Sequence, residues 1–135
     1  MIAIQAESSI ALEEFVFILE DSGLAKRRPM NDPDHLQKML NGSNLLVSAR
    51  VEGQLVGFLR GLTDHCYRCF IADLSVAKAY QGKGIGREML QFIRELEPDS
   101  RLFLFAAEDA EPFYHKLGFQ LHERCYQLKA GESIS

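Results

Sequence analysis

Residues 81 to 90, QGKGIGREML, set Gly82, Gly84 and Gly86 at alternate positions ahead of a run with helical periodicity. Glycine inside a helix costs about 1 kcal/mol relative to alanine, so bare backbone at a helix start answers a specific need. A strand end, a glycine turn and a helix start together aim unpaired N–H groups at one point, at the positive end of the helix dipole. That is the chemistry of an anion site. The glycines let phosphate oxygens approach the main chain, while Lys83 and Arg87 add charge from the rim. Two other side chains carry chemistry: Tyr114, whose phenol stays protonated at neutral pH, and Asp73, a carboxylate inside an otherwise apolar run.

Spacing separates the phosphate loops that use this logic. A dinucleotide-binding G-x-G-x-x-G is not matched, because its third glycine is Arg87 here, and no series of βαβ units surrounds it. A triphosphate loop needs Gly-Lys followed by Ser or Thr, whereas Gly82-Lys83 is followed by Gly84, which removes the magnesium ligand. A glycine turn that serves only close packing remains the plain alternative for these residues alone. Cys66-Tyr67-Arg68-Cys69 spells CxxC near His65 and His122, but residues i and i+3 of an extended segment point to opposite faces, so no metal is expected.

The elements that position these groups follow from periodicity and punctuation. Ile2 and Ile4 suggest a first strand, and Ser8 or Ser9 can cap a helix carrying Leu12, Phe15, Val16 and Leu19 up to Gly23. Asp32-Pro33 starts a second helix with Leu36, Met39 and Leu40 inward, stopped by Asn41-Gly42. Glu52-Gly53 joins strands 45–51 and 54–62 as a hairpin. Thr63-Asp64-His65 then turns into a strand running to Val76, with Phe70, Ala72, Leu74 and Val76 on one face and Ile71, Asp73 and Ser75 on the other. The glycine loop opens a helix through Ile85, Met89, Leu90, Ile93 and Leu96 that Pro98-Asp99 closes. RLFLFAA suits a central strand, AEPFYHKL a short helix ending at Gly118, and FQLHERCYQLKA a last strand or hairpin. One domain over residues 1–130 and a frayed tail at 131–135 are expected.

Composition narrows the function classes. At 135 residues, 47% hydrophobic and 25% charged, the chain reads as one globular domain. A net charge of -4 disfavours a nucleic-acid face. No apolar run approaches the roughly 20 residues that span a bilayer, and no secretory signal is visible, so no membrane partner and a cytoplasmic location are expected. Three cysteines, an odd number, fit a reducing compartment.

The string from Val76 through Gln81 to Gly86 resembles the pyrophosphate-binding motif Q/R-x-x-G-x-G/A of the GNAT superfamily of acyl-CoA-dependent N-acyltransferases. Phe113-Tyr114-His115-Lys116-Leu117-Gly118-Phe119 resembles that family's second signature, F-Y-x-K-x-G-F, at the right distance downstream. The order of elements matches across nearly the whole chain. The resemblance implies a mixed α/β (α+β) GNAT fold, with a central, mostly antiparallel twisted sheet of six to seven strands flanked by about four helices. It implies transfer of acetyl from acetyl-CoA, as co-substrate, to a primary amine by direct attack in a ternary complex.

By the same resemblance, the backbone of Gln81, Gly82, Lys83, Gly84, Ile85, Gly86 and Arg87 holds the pyrophosphate. Leu74, Ser75 and Val76 pair with the pantetheine arm as an added strand would. Phe113 and Lys116, within the second signature, belong to the cofactor side. The family commonly bulges this strand, splaying it from the next, and an N–H near Val76 then stabilises the oxyanion. Tyr114 stands where the general-acid tyrosine protonates the departing thiolate. Asp73 faces the amine, binding the ammonium or relaying its proton through water, against the plainer reading of a salt-bridged strand carboxylate.

Two departures loosen the pattern: Ala72 replaces a glutamate that serves some relatives as base, and Ala107 replaces an asparagine that touches the cofactor. Glu108 and Asp109 read as helix-capping carboxylates, with contact to a cationic acceptor as the alternative, and His115 and His122 as surface residues. The basic loop Lys26-Arg27-Arg28 lies in the segment that usually shapes the acceptor cleft. A small-molecule amine is the expected acceptor, with a protein amine as the other class, and relatives often dimerise. A non-catalytic acyl-CoA-binding or sensing module is the alternative function.

Overall fold

Strands form where β-branched and apolar residues alternate or run between turn residues, and five of them make one sheet in sequence order. They are β1 (Ile2–Glu7), β2 (Leu45–Val51), β3 (Gln54–Thr63), β4 (Arg68–Val76) and β5 (Arg101–Leu104). β1 to β4 pair antiparallel, and β4 pairs with β5 in parallel. Four helices accompany them: α1 (Leu12–Ser22), α2 (Pro33–Asn41), α3 (Ile85–Leu96) and α4 (Glu111–Lys116). The computed structural model describes residues 1–135, which divide into two compact units, Met1–Phe105 and Ala106–Ser135.

Local signals explain most boundaries. Glu52 and Gly53 both take positive φ, 49° and 82°, as the two-residue turn of a hairpin requires. Gly23 closes α1 in the left-handed region at φ 90°, and the Asp32 carboxylate accepts the His35 N–H at 3.1 Å to cap α2. The cap of α1 is not Ser8 or Ser9, however, but Ala11. Alanine has no side-chain acceptor, and Glu14 reaches back to take the Ala11 N–H at 3.3 Å.

The register sorts side chains onto two faces, because directly opposed residues share one. Leu45, Val47 and Ala49 oppose Gly61, Leu59 and Gly57, and α3 packs on this face. A Cβ on Gly57 would come within 3.0 Å of Met89 Cε and 3.2 Å of Ile85 Cγ2, so glycine is what allows α3 to lie so close. On the other face Phe58 meets Phe15 of α1 edge-on at 5.7 Å, and both are fully buried.

β4 carries a bulge. Arg60 opposes Asp73 and Gly61 opposes Ile71, which leaves Ala72 without a partner on β3. The extra residue reverses the alternation. Ile71 lies with Gly61 on the α3 face, whereas Asp73 and Ser75 lie on the α1 face. The single face expected for Phe70, Ala72, Leu74 and Val76 is therefore split: Phe70 opposes Leu62 on the α1 side, and Leu74 and Val76 oppose Leu59 and Gly57 on the α3 side.

Two expectations for the sheet are corrected. Its strands number five rather than six to seven, and RLFLFAA supplies only the short edge strand β5 instead of a central one. The segment after Gly118 forms no strand. A strand needs a ladder, and here local acceptors take backbone donors instead: Arg124 N–H donates to His122 Nδ1 at 3.0 Å, and Lys129 N–H to Glu132 Oε1 at 2.7 Å. Leu121 and Tyr126 remain largely exposed.

Candidate active site

The glycine loop begins where β4 ends. Ala77 N–H donates to Val56 O at 2.8 Å, Lys78–Tyr80 forms one 3-10 turn, and the Gln81 side chain turns back to donate to Val76 O at 2.9 Å. Gly82 and Gly84 then take φ of 79° and 84°, the left-handed region that side chains disfavour. α3 starts at Ile85 with Gly84 as N-cap and no side-chain cap. Its first intrahelical bond is Glu88 N–H to Gly84 O, at 3.0 Å, so the N–H groups of Ile85, Gly86 and Arg87 donate to no protein group.

Close packing does not account for Gly82 and Gly84, since a Cβ on either meets nothing within 4 Å. Lys83 is exposed, with its ammonium 5.5 Å from the Tyr80 ring centroid, and Arg87 is exposed as well. Open N–H groups, a helix dipole and two exposed cations give this turn the features that an anion site requires.

Beside it lies a strand edge with no neighbour. The β4–β5 ladder stops at the Ile71–Leu104 pair, one residue before the bulge, and Asp73 to Val76 pair only with β3, while Ala72 pairs with neither strand. Backbone groups alternate along a strand, and Ala77 N–H points to β3. The N–H groups of Leu74 and Val76 therefore face the open side, as the Gln81 bond to Val76 O also indicates. Ser75 faces inward, and its hydroxyl donates to Phe58 O at 3.3 Å.

Asp73 is held by two arginines. Arg28 Nε donates to Oδ1 at 2.8 Å and Arg60 Nε to Oδ2 at 2.5 Å, and the carboxylate is closed to solvent. Arg60 also donates to Ser43 Oγ at 3.1 Å, beyond the end of α2, while Arg28 donates to Ala72 O at 3.0 Å. An alkylammonium reaches Asp73 only by displacing a guanidinium. The sequence carries a signal for the Arg60 partnership: Arg60 and Asp73 each interrupt an apolar strand, and charges there require a mate.

The second unit carries Phe113, Tyr114 and Lys116 on α4. Tyr114 is half-buried between the rings of Phe113, at 5.0 Å, and Phe119, at 5.6 Å, both edge-on. Burial pushes its phenol above the ordinary value of 10, which keeps the proton on the oxygen throughout the neutral range. Phe113 and Lys116 are exposed. Glu108 and Asp109 form a 3-10 turn just ahead of α4.

Other expected groups fall elsewhere. Cys66 is exposed and Cys69 buried, so the CxxC thiols do not converge, and partial desolvation raises both. No cluster of three His, Cys, Asp or Glu side chains is placed to hold a metal. No helix is long and apolar enough to cross a membrane. A cleft of about 530 Å³, lined by Phe17, Asp21, Leu55 and Ala77 to Tyr80, opens on the approach to the glycine loop and includes none of the Ala72 to Val76 edge.

The chain is similar to known proteins in both sequence and fold. A solved acetyltransferase, a GNAT family protein from Streptococcus pneumoniae TIGR4, superposes with a TM-score of 0.80 at 22% identity, covering 99% of this chain and all of that one. An uncharacterized N-acetyltransferase ycf52 of Pyropia yezoensis is 29% identical over 126 residues, 87% of this chain and 70% of the relative. A glucosamine 6-phosphate N-acetyltransferase of Trypanosoma brucei brucei is 34% identical over 61 residues, spanning 43% of this chain and 42% of that protein. The profile of the acetyltransferase (GNAT) domain matches residues 42–121, from the end of α2 through the glycine loop to the segment after α4, and the chain belongs to the GNAT superfamily of acetyltransferases.

Proposed function

We propose that this chain transfers the acetyl group of acetyl-CoA to a primary amine by direct attack within a ternary complex. One observation carries the reading: a glycine turn with unspent N–H groups from Ile85 to Arg87 adjoins a strand edge at Leu74 to Val76 that has no neighbour. A long ligand with a pyrophosphate and an amide-bearing arm fits that pair of features, whereas a bare phosphate uses only the first. When bound, the co-substrate supplies a thioester carbonyl open to an amine.

The residues divide the work. Backbone groups from Gln81 to Arg87 take the pyrophosphate, with Lys83 and Arg87 screening its charge. Leu74 and Val76 bond the arm through main-chain groups, with Ser75 fixing the strand between them by its bond to Phe58 O. The Val76 N–H polarises the acyl oxygen, and Phe113 and Lys116 complete the donor side. Tyr114 gives its proton to the leaving sulfur; burial penalises a thiolate as it does a phenolate, which keeps the two close enough for transfer.

The ion triad around Asp73 favours loss of the ammonium proton to water, because a relay through Asp73 requires one guanidinium to yield. The acceptor we favour is a small-molecule amine, a class to which the amino sugar in the Trypanosoma relative's name belongs. A cytoplasmic location suits three free thiols. Release of free thiol from acetyl-CoA across a panel of amines tests the reading. Tyr114→Phe is expected to lower kcat by about 100- to 10,000-fold with little change in acetyl-CoA affinity. Tight binding of acetyl-CoA without turnover on any amine, unchanged in Tyr114→Phe, would instead identify an acyl-CoA-binding module.

A further inference from the structure

We propose that Arg28 is a positioning residue for acyl transfer, bracing the bulge of β4 that frees the Leu74 to Val76 edge; this rests on that edge being the donor site. The bulge at Ala72 does two things at once. It ends the β5 ladder, and it turns Asp73 onto the α1 face. Arg28 grips both consequences: it donates to Ala72 O at 3.0 Å and to Asp73 Oδ1 at 2.8 Å. A planar guanidinium can bond a carbonyl and a carboxylate together, which an ammonium on a flexible stem does poorly.

Arg28 is also occupied on its third nitrogen, where Nη1 donates to Arg27 O at 2.9 Å. All three guanidinium nitrogens are thus engaged within the protein, which fits holding the strand better than binding an acceptor. Arg60 cannot replace it. That side chain enters from β3, bonds the other carboxylate oxygen, and is anchored at Ser43, away from Ala72. Without Arg28, Asp73 keeps one partner, so the fold survives, but the bulge carbonyl and the direction of the free edge lose their tether. A displacement of about 1 Å at a reacting carbonyl is enough to cost on the order of 100-fold in rate.

Arg28→Ala, Arg28→Lys and wild type are compared by thermal denaturation, by calorimetric titration with acetyl-CoA, and by thiol release with the best amine of the panel. Arg28→Ala is expected to fold, to lose about 10- to 100-fold in kcat, and to recover part of it with millimolar guanidinium ion. Arg28→Lys should recover less than guanidinium does. Unchanged kcat in Arg28→Ala, or a loss that tracks stability and resists guanidinium, would overturn the proposal. Should wild type bind acetyl-CoA without turning over any amine, the transferase reading fails by itself. The brace is then read from affinity alone, which must fall in Arg28→Ala and return with guanidinium; an unchanged affinity would overturn it too.

Discussion

Removing the charge of Asp73 leaves two guanidiniums facing each other across a position closed to solvent. The carboxylate is fully buried and Arg60 nearly so, and breaking a buried pair by deleting one partner costs about 3–5 kcal/mol, because the remaining charge is uncompensated. Asp73→Asn is therefore expected to lose stability in that range by urea denaturation, whereas Lys83→Ala, an exposed change on the loop, should lose almost none. At this scale the sequence showed Asp73 as an acid at a strand position with chemistry nearby. What it did not show is the phase of β4. Whether Asp73 points to an amine or to arginines depends on the unopposed Ala72, and a bulge is a property of two paired strands that neither reveals alone.

The glycine loop depends on α3 being seated close to β3, and Gly57 sets that distance. A side chain there meets Met89 Cε, Ala49 Cβ at 3.1 Å and Ile85 Cγ2, all at or inside the tightest ordinary contacts. Gly57→Val is expected to destabilise by about 1–3 kcal/mol through overpacking and to weaken acetyl-CoA binding by lifting the first turn of α3. Thermal denaturation and calorimetric titration check the two effects. The helices and turns themselves were legible: Asp32-Pro33, Glu52-Gly53 and the glycine run each carry their own backbone logic. Gly57, set in an apolar strand, signals close approach but not of what.

Across the larger unit, a charge cluster remote from the loop ties three elements together. Arg50 of β2 bonds Glu7 of β1 at 2.8 Å and Glu14 of α1 at 2.7 Å. Burial raises Glu7, but the lowering influences, led by the Arg50 hydrogen bond, together outweigh it, and the same guanidinium is the main influence lowering Glu14. Both carboxylates thus titrate below their ordinary value of 4.5 in the folded state. Their contribution to stability is complete above that pH and is lost as pH falls through the depressed folded values. Melting temperature should drop on acidification below 4.5, and Arg50→Met should flatten that drop. A melting curve of Arg50→Met as steep in acid as wild type would contradict this.

The number of strands was the least legible property at the same scale. FQLHERCYQLKA has apolar residues spaced for a strand, yet pairing is decided by what lies alongside, and His122 and Glu132 give its backbone nearer partners. We propose acetyl transfer from a donor held by the glycine turn and the open edge of β4. Its most direct test is thiol release from acetyl-CoA by wild-type protein with a panel of small primary amines. Amine-dependent release, with acetyl recovered on the amine nitrogen, is the result expected; no release with any amine, from protein that binds acetyl-CoA tightly, is the result that contradicts it.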